Sequence, residues 1–326
     1  MEYIEFFNEG TPDPSLMGGK GSNIIKLIKI GVNVPPGFVL KASSYRAFLE
    51  ESENSQQFKE LLTTDLTIKK VLHISKFIKQ LIRNTKIPRR IIEEIKLGFD
   101  KFKKEAGINS SFAVRSSATI EDTETFSFAG QAESYLYNVS FDDLIVSIKN
   151  CWASLYNPSA LLYLLHMNKK GIALSLLDIH MAVVIQKMVN ADISGVLFTT
   201  NVINNNHDEI MINSTWGLGE TIANNTVIAD MFILNKKKFE IIKSVIGAKE
   251  KKSIRNPEGS HTIIVDTEPI YRQVCSLNEN QLKKLYNLGL KLEKEFNCPQ
   301  DIEWAIEDDI IYALQSRPIT TLKKEK

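Results

Sequence analysis

Apolar and polar residues alternate in PQDIEWAIEDDIIYALQSRPIT, residues 299–320. Two runs of alternating apolar and polar residues flank a short acidic stretch, residues 307–309. This pattern predicts a β-hairpin. If the loop comprises residues 307–309, odd-numbered residues pair with odd-numbered ones across the hairpin. Since side chains alternate between the faces of a strand, Glu303, Gln315 and Arg317 should share one face.

These three side chains suit a metal and a phosphate. A carboxylate and an amide oxygen are ligands for Mg²⁺, which usually takes one or two protein oxygens and completes its octahedron with water and phosphate. The planar guanidinium of Arg317 suits bidentate contact with a phosphate. The pattern alone is equally compatible with an edge hairpin whose polar face meets water.

Other periodicities predict a helical part and a strand-rich part. Residues 43–106 have a helical period and many charges, as in a solvated helical cover. Residues 179–189 form a nearly unbroken apolar run, typical of a strand covered on both faces, and Gln186 interrupts it. Gln186 could meet the base or ribose of a nucleotide, although such a residue more often marks a strand end. Residues 277–296 predict an amphipathic helix.

A glycine cluster surrounds Lys20 in LMGGKGSN and is followed by an amphipathic helix that ends at Gly31. Free backbone N–H groups at such a helix start favour anions, and Lys20 adds a cation. The spacing differs from that of a Walker A loop. A purely structural glycine turn is the alternative.

A second candidate phosphate site lies in residues 111–140. A short apolar strand delivers Arg115 and then a loop rich in serine and threonine, which returns past Gly130 into a second strand. An arginine and hydroxyl groups beside a glycine could clamp a phosphate. A surface loop with a salt-bridged arginine explains the same pattern.

Composition excludes several classes of protein. With 40 basic and 39 acidic residues among 326, no bulk attraction to nucleic acid or anionic membrane is indicated. The apolar runs are too short to span a bilayer, and the acidic start lacks a secretion signal, so a cytoplasmic location is expected. Three widely spaced cysteines indicate neither disulfides nor a zinc site.

Five motifs, taken in order, resemble the ATP-binding domain of the dikinase family, which includes phosphoenolpyruvate synthase, pyruvate phosphate dikinase and rifampicin phosphotransferase. They are GGKGSN, FAVRSSATIEDTETFSFAGQAESY, VVIQKMVNADISGVLFT, WGLGET and PQDIEWA with LQSRPIT. The resemblance covers nearly the whole chain. It implies an α+β, ATP-grasp-like fold with mostly antiparallel sheets, a helical cover and two lobes, 1–185 and 186–326, that hold the nucleotide in the cleft between them.

The resemblance also implies roles for single residues. Lys20, Arg115 and Arg317 would act on the phosphates as catalytic groups, and Glu303 with Gln315 would hold Mg²⁺. Gly130 and Ser134 resemble loop positions close to the nucleotide, although the family more often has threonine at the position of Ser134. Gln186 resembles the pocket residue near the base or ribose. Glu220 fits a family position without an assigned role.

The implied function is that of a dikinase-type phosphotransferase whose cofactors are ATP and Mg²⁺. Family members carry a histidine that accepts phosphate, in a loop rich in glycine and threonine, and no histidine here lies in such a loop. We therefore expect a separate partner chain to carry that histidine and the acceptor site, with AMP formed overall. A non-catalytic ATP-sensing module, an antibiotic- or phenol-phosphorylating ATP subunit and a self-sufficient small kinase are the alternatives, and the final acceptor stays open.

Overall fold

The computed structural model describes residues 1–64, 66–119, 133–171, 175–257, 259 and 261–320. The chain forms two compact units. The first contains Met1–Ile25 and Pro36–Met188, and the second contains Lys26–Pro35 and Val189–Lys326. The functional division into lobes 1–185 and 186–326 stays a prediction.

The first unit contains five strands and most of the helices. Its strands are β1 (Ile4–Phe6), β2 (Gly37–Leu40), β3 (Phe112–Ala118), β4 (Ser134–Asn138) and β5 (Met181–Lys187). Its helices are α1 (Pro14–Lys29, whose last residues belong to the second unit), α2 (Ala42–Glu51), α3 (Ser55–Leu62), α4 (Val71–Asn84), α5 (Arg89–Ala106), α6 (Phe141–Ser154) and α7 (Pro158–Lys169), with a 3₁₀ turn at Ile68–Lys70.

The sheet of the first unit has the order β1-β2-β5-β3-β4, and every pairing is antiparallel. One of its faces carries Phe38, Phe112, Val114, Val183 and Ile185, which belong to a core shared with the helices. The central strand β5 is buried on both faces, as its apolar run predicts. Residues on the opposite face of β5 therefore lie on a strand that is hydrogen-bonded on both sides, to β2 and to β3.

The second unit is built on a six-stranded antiparallel sheet of order β13-β12-β6-β7-β8-β9. Helix α10 packs on one face over Leu197, Ile212, Phe232, Ile302 and Trp304. A separate hairpin pairs β10 with β11. The elements are β6 (Ile193–Phe198), β7 (Glu209–Trp216), α8 (Glu220–Ala223), β8 (Asp230–Asn235), β9 (Ile241–Val245), β10 (Lys251–Arg255), β11 (Thr262–Asp266), α9 (Pro269–Arg272), α10 (Glu279–Phe296), β12 (Gln300–Glu307) and β13 (Ile310–Pro318).

The predicted α+β class with antiparallel sheets is confirmed by these pairings. The amphipathic helix expected at residues 277–296 is α10, which begins at a capping box formed by Asn278 and Gln281. Within the described residues, no helix combines the length and the apolar character that crossing a membrane requires.

The predicted hairpin is present, but its turn is shorter than expected. Glu307 pairs directly with Ile310, so the loop is only Asp308–Asp309, both with positive φ (52° and 60°). Two central residues in this conformation form the turn that best matches the twist of paired strands. A two-residue loop pairs odd with even residues, as in Ala305 with Tyr312, so the expected odd-with-odd register is wrong near the turn.

Candidate functional site: two polar sheet faces

A bulge in β13 restores the predicted relationship further along the hairpin. Trp304 pairs with Ala313 and Glu303 with Gln315, so Leu314 is an extra residue without a partner of its own in β12. The one-residue shift reverses the parity of all later pairs. Glu303 and Gln315 consequently lie directly opposite each other on the sheet face away from α10.

Asp301 and Arg317 form the next pair on the same face. Arg317 donates a hydrogen bond from Nε to Oδ2 of Asp301 at 2.9 Å, and its Nη2 lies 2.9 Å from the same oxygen. The carboxylate therefore fixes the orientation of the planar guanidinium.

Asp301 lies on this polar face, and the sequence interpretation did not single it out. Burial raises the pKa of its carboxyl group, Arg317 lowers it through charge and hydrogen bonding, and Glu303 raises it. The signal was present in the sequence, because Asp301 precedes Glu303 by two residues and must share its face in a strand. Only the register shows that it lies opposite Arg317.

The polar face of β12 and β13 fits a magnesium ion. Glu303 is half-buried and Gln315 is only 4% exposed, and strand pairing fixes both backbone positions. Among the described residues there is no group of three or more histidine, cysteine, aspartate or glutamate side chains placed to hold a metal. One carboxylate and one amide match an ion that takes few protein ligands and keeps water and phosphate for the rest.

In the first unit, the start of α1 is kinked at Gly18, where φ is 68° and ψ is 175°. A side chain there would place its Cβ 2.3 Å from the backbone oxygen of Ser117. Ser117 Oγ donates to the Met17 carbonyl at 2.8 Å and accepts from the Gly21 N–H at 3.2 Å. The glycines thus let α1 lie directly on β3, so close packing alone is sufficient to explain them.

Lys20 follows the kink and is only 4% exposed. A buried ammonium group is rare unless the protein or a ligand compensates its charge. Its charge acts on Cys151 of α6. Burial and Glu133 raise the pKa of the Cys151 thiol, and Lys20 lowers it. The structure therefore holds a cation inside the first unit, beside β3.

Arg115, Ser134 and Gln186 are brought to one sheet face. Arg115 lies opposite Ser134 on β4, and Ala113, two residues earlier on β3, lies opposite Gln186 on β5. Side chains two residues apart on a strand share a face, so all three lie on the face that carries Ser117. That is the face on which the kinked start of α1 rests.

The predicted site residues thus fall into two groups. Arg115, Ser134 and Gln186 lie on one sheet face of the first unit with Lys20 on helix α1, and the other three lie on one face of the β12–β13 hairpin. Lys20, Arg115, Ser134 and Gln186 belong to the first unit, and Glu303, Gln315 and Arg317 to the second. Gly130 lies outside the described residues. Their roles at a nucleotide stay predictions.

The GLGE turn, residues 217–220, supports β10. Gly217 has φ +73°, and a Cβ there would lie 2.4 Å from the Ser253 carbonyl oxygen. The Leu218 N–H donates to that same oxygen at 2.9 Å, and Glu220 accepts a hydrogen bond from Ser253 Oγ at 2.8 Å. Glu220, which has no role from the sequence, therefore holds the β10–β11 hairpin.

The sequence matches the family of the pyruvate phosphate dikinase AMP/ATP-binding domain over residues 14–326. The chain belongs to this dikinase family. It is 37% identical to phosphoenolpyruvate synthase of Pyrococcus furiosus, over 99% of this chain and 44% of that protein. The resemblance drawn from the five motifs is confirmed.

Two further relatives of this dikinase domain have different names. Rifampicin phosphotransferase of Bacillus cereus is 36% identical over 94% of this chain and 34% of its own length. The prodigiosin synthesizing transferase PigC of Serratia marcescens is 35% identical over 98% and 33%. The chain therefore spans less than half the length of each of these relatives. Among solved structures, D-alanine–D-alanine ligase of Bacillus anthracis complexed with ATP matches with a TM-score of 0.27 and 12% identity, over 67% of this chain and 45% of that one.

Proposed function

We propose that this dikinase domain binds Mg-ATP and donates a phosphoryl group to a histidine on a separate chain, with AMP formed overall. Membership of an AMP/ATP-binding family supports the proposal that the ligand is ATP. The observation that carries the proposal is the polar face of β12 and β13. There the Glu303–Gln315 pair offers oxygens to a metal, beside a guanidinium that Asp301 holds in place.

In this proposal the protein's task is positioning and charge neutralisation. A nitrogen of the acceptor histidine bonds to phosphorus while the phosphoanhydride oxygen leaves with the nucleotide. Formation of AMP requires the other phosphoanhydride bond to break as well, with its phosphoryl group passing to water or phosphate. Mg²⁺, when bound by Glu303 and Gln315, would neutralise part of the triphosphate charge.

The cationic side chains stabilise charge on the phosphate oxygens. Arg317 is oriented by a carboxylate before the nucleotide arrives, so little reorganisation accompanies binding. Lys20 and Arg115 supply the same kind of charge from the first unit. Loss of one such donor typically costs about 10²–10³ in rate when water is excluded.

Radiolabelled ATP tests the proposal. The chain is incubated with Mg²⁺, ATP labelled on its β-phosphate and a candidate chain that carries an acceptor histidine. We expect acid-labile label on the partner and formation of AMP, both absent with Arg317→Ala. Release of ADP without any partner would instead indicate a self-sufficient kinase, and tight ATP binding without transfer to any histidine-bearing chain would indicate a sensing module.

A further inference from the structure

A groove of about 500 Å³ lies on the helical side of the first unit, on the opposite side of the sheet from Arg115. Its lining includes Lys76, Lys79, Gln80 and Arg83 of α4, together with Pro158 at the start of α7. The three cations are spaced three and four residues apart, so they share one face of the helix. The ATP hypothesis makes no use of this groove.

These cations differ from other charged helix residues nearby. On α5, Arg89 pairs with Glu93 and Lys96 with Asp100. Among the described residues, by contrast, no carboxylate lies within ion-pair distance of Lys76, Lys79 or Arg83. The three cations therefore have no direct ion pair within the described chain. Glu133 is reached only through Asn157, and the charge of Glu53 acts on Lys149.

Neutral amides hold two of the cations in place. Arg83 donates from Nε to Asn150 Oδ1 at 2.9 Å, and Lys79 donates to Asn157 Oδ1. An amide partner fixes the position of a cation and leaves its charge in place, which lowers the ordering cost when an anion binds. Lys149 adds a fourth cation beside Arg83, since its Nζ donates to the Arg83 carbonyl at 3.0 Å.

The start of α7 adds a further attraction for anions. Its N-cap residue, Asn157, makes no side-chain bond to the helix, because its Oδ1 accepts from Lys79 and its Nδ2 donates to Glu133 at 2.9 Å. The positive end of the helix dipole therefore lies beside the groove without a capping oxygen from this side chain. Leu72, 71% exposed, and Pro158 line an apolar part.

We propose that this groove binds a small anionic metabolite that carries two or more carboxylate or phosphate groups. Two charged groups would span Lys76 and Arg83, and the carbon part would meet Leu72 and Pro158. Asn157 links Lys79 to Glu133, which immediately precedes Ser134. The ligand would therefore contact a hydrogen-bonded chain that ends at Glu133, the residue before Ser134.

Calorimetric titration of the full chain tests this, with citrate and inorganic pyrophosphate as separate probes and no divalent cation present. Lys76→Gln with Arg83→Gln should weaken binding of at least one probe by about tenfold or more, because charge-assisted bonds are the strong ones. Lys96→Gln with Lys104→Gln removes the same charge from α5 and should leave the dissociation constant within about twofold of the wild type. All four residues are exposed, so circular dichroism should be unchanged.

A third variant separates this groove from the ATP site. Arg317→Ala should leave binding of that probe intact, and failure of the ATP hypothesis would not change this result. The groove hypothesis is overturned if neither probe binds, if both double variants lose binding equally, or if Arg317→Ala abolishes it.

Discussion

Glu303 lies directly opposite Gln315 because β13 contains one extra residue, Leu314. Without the bulge, the two-residue turn would pair Glu303 with Leu314, and Gln315 would move to the face under α10. Bulges that redirect a side chain are frequent next to active sites. The bulge therefore determines which face of the hairpin Gln315 occupies.

The Glu303–Gln315 pair should govern metal dependence. Glu303→Ala and Gln315→Ala should reduce Mg²⁺-dependent AMP formation by about 10²-fold or more, since a developing phosphate charge loses its neutralisation. Glu307→Ala, on the same strand beside the turn, is the matched control and should behave as wild type. The measurement is the initial rate at several Mg²⁺ concentrations; an unchanged rate in both site variants would contradict the assignment.

Asp301→Asn should weaken ATP binding through Arg317. The amide keeps the shape but removes the charge that orients the guanidinium, so we expect about a tenfold increase in the dissociation constant. The free energy of unfolding should change by less than about 1 kcal/mol, because the pair is partly exposed to solvent. A large loss of stability with unchanged ATP affinity would make Asp301 a structural residue only.

The same pair predicts a dependence on pH. Burial raises the pKa of Asp301 above its ordinary value of 3.8, so the folded protein binds this proton more tightly than the unfolded chain. The stability from this group is therefore present below 3.8 and is lost as the pH rises through the raised pKa. The Arg317 contact needs the deprotonated carboxylate, so its contribution to ATP binding falls as the pH is lowered through that same pKa.

Titration of ATP at several pH values checks this directly. The ratio of wild-type to Asp301→Asn affinity should decrease as the pH is lowered through the raised pKa of Asp301, because the wild-type carboxyl group then becomes neutral like the amide. ATP itself titrates identically in both experiments and cancels in the ratio. A ratio independent of pH would show that Asp301 does not act through its charge.

Parts of this site could be predicted from the sequence because strand alternation is local. Residues two positions apart on one strand share a face, and this rule placed Glu303 on the face opposite to Ile302 and Trp304. The grouping of Arg115 with Ser134 and Gln186 depends on strand pairing, which only the structure shows. The position of Gln315 opposite Glu303 is a different case. The expected three-residue loop was wrong, and the bulge at Leu314 compensated for it.

Other features depend on tertiary contacts that no local pattern contains. The kink at Gly18 results from the approach of Ser117, which is about a hundred residues away in sequence. The ion pair of Asp230 and Lys249 is completely buried, although the charged stretch KEKK at residues 249–252 is typical of a solvated loop. Contacts between residues far apart in sequence determine both the kink at Gly18 and the burial of Lys249. The residue type alone favours an exposed position for a lysine.

The kink at Gly18 gives a test of how α1 is seated. Gly18→Ala should destabilise the fold by about 1–3 kcal/mol or more, since its backbone conformation is nearly restricted to glycine and the new Cβ would clash with Ser117. Gly259→Ala is the control, because its nearest neighbour would be 3.8 Å away. Urea unfolding measures both, and equal stability of the two variants would contradict the described seating of α1.

The buried pair of Asp230 and Lys249 should dominate the stability of the second unit. Asp230 also accepts the Ser276 N–H at 2.8 Å and the Gly247 N–H at 2.9 Å. Lys249→Met would leave this buried carboxylate without its counter-charge, at a cost of about 3–5 kcal/mol. Lys251→Met breaks an exposed pair with Asp266 and should cost less than about 1 kcal/mol. Similar urea midpoints for the two variants would contradict this account.

A crystal structure of the chain with Mg²⁺ and a non-hydrolysable ATP analogue tests the central claim most directly. We predict that Arg317 contacts the triphosphate of the analogue and that Glu303 and Gln315 hold a metal bound to it. A nucleotide bound away from β12 and β13, or a metal held elsewhere, would contradict the account.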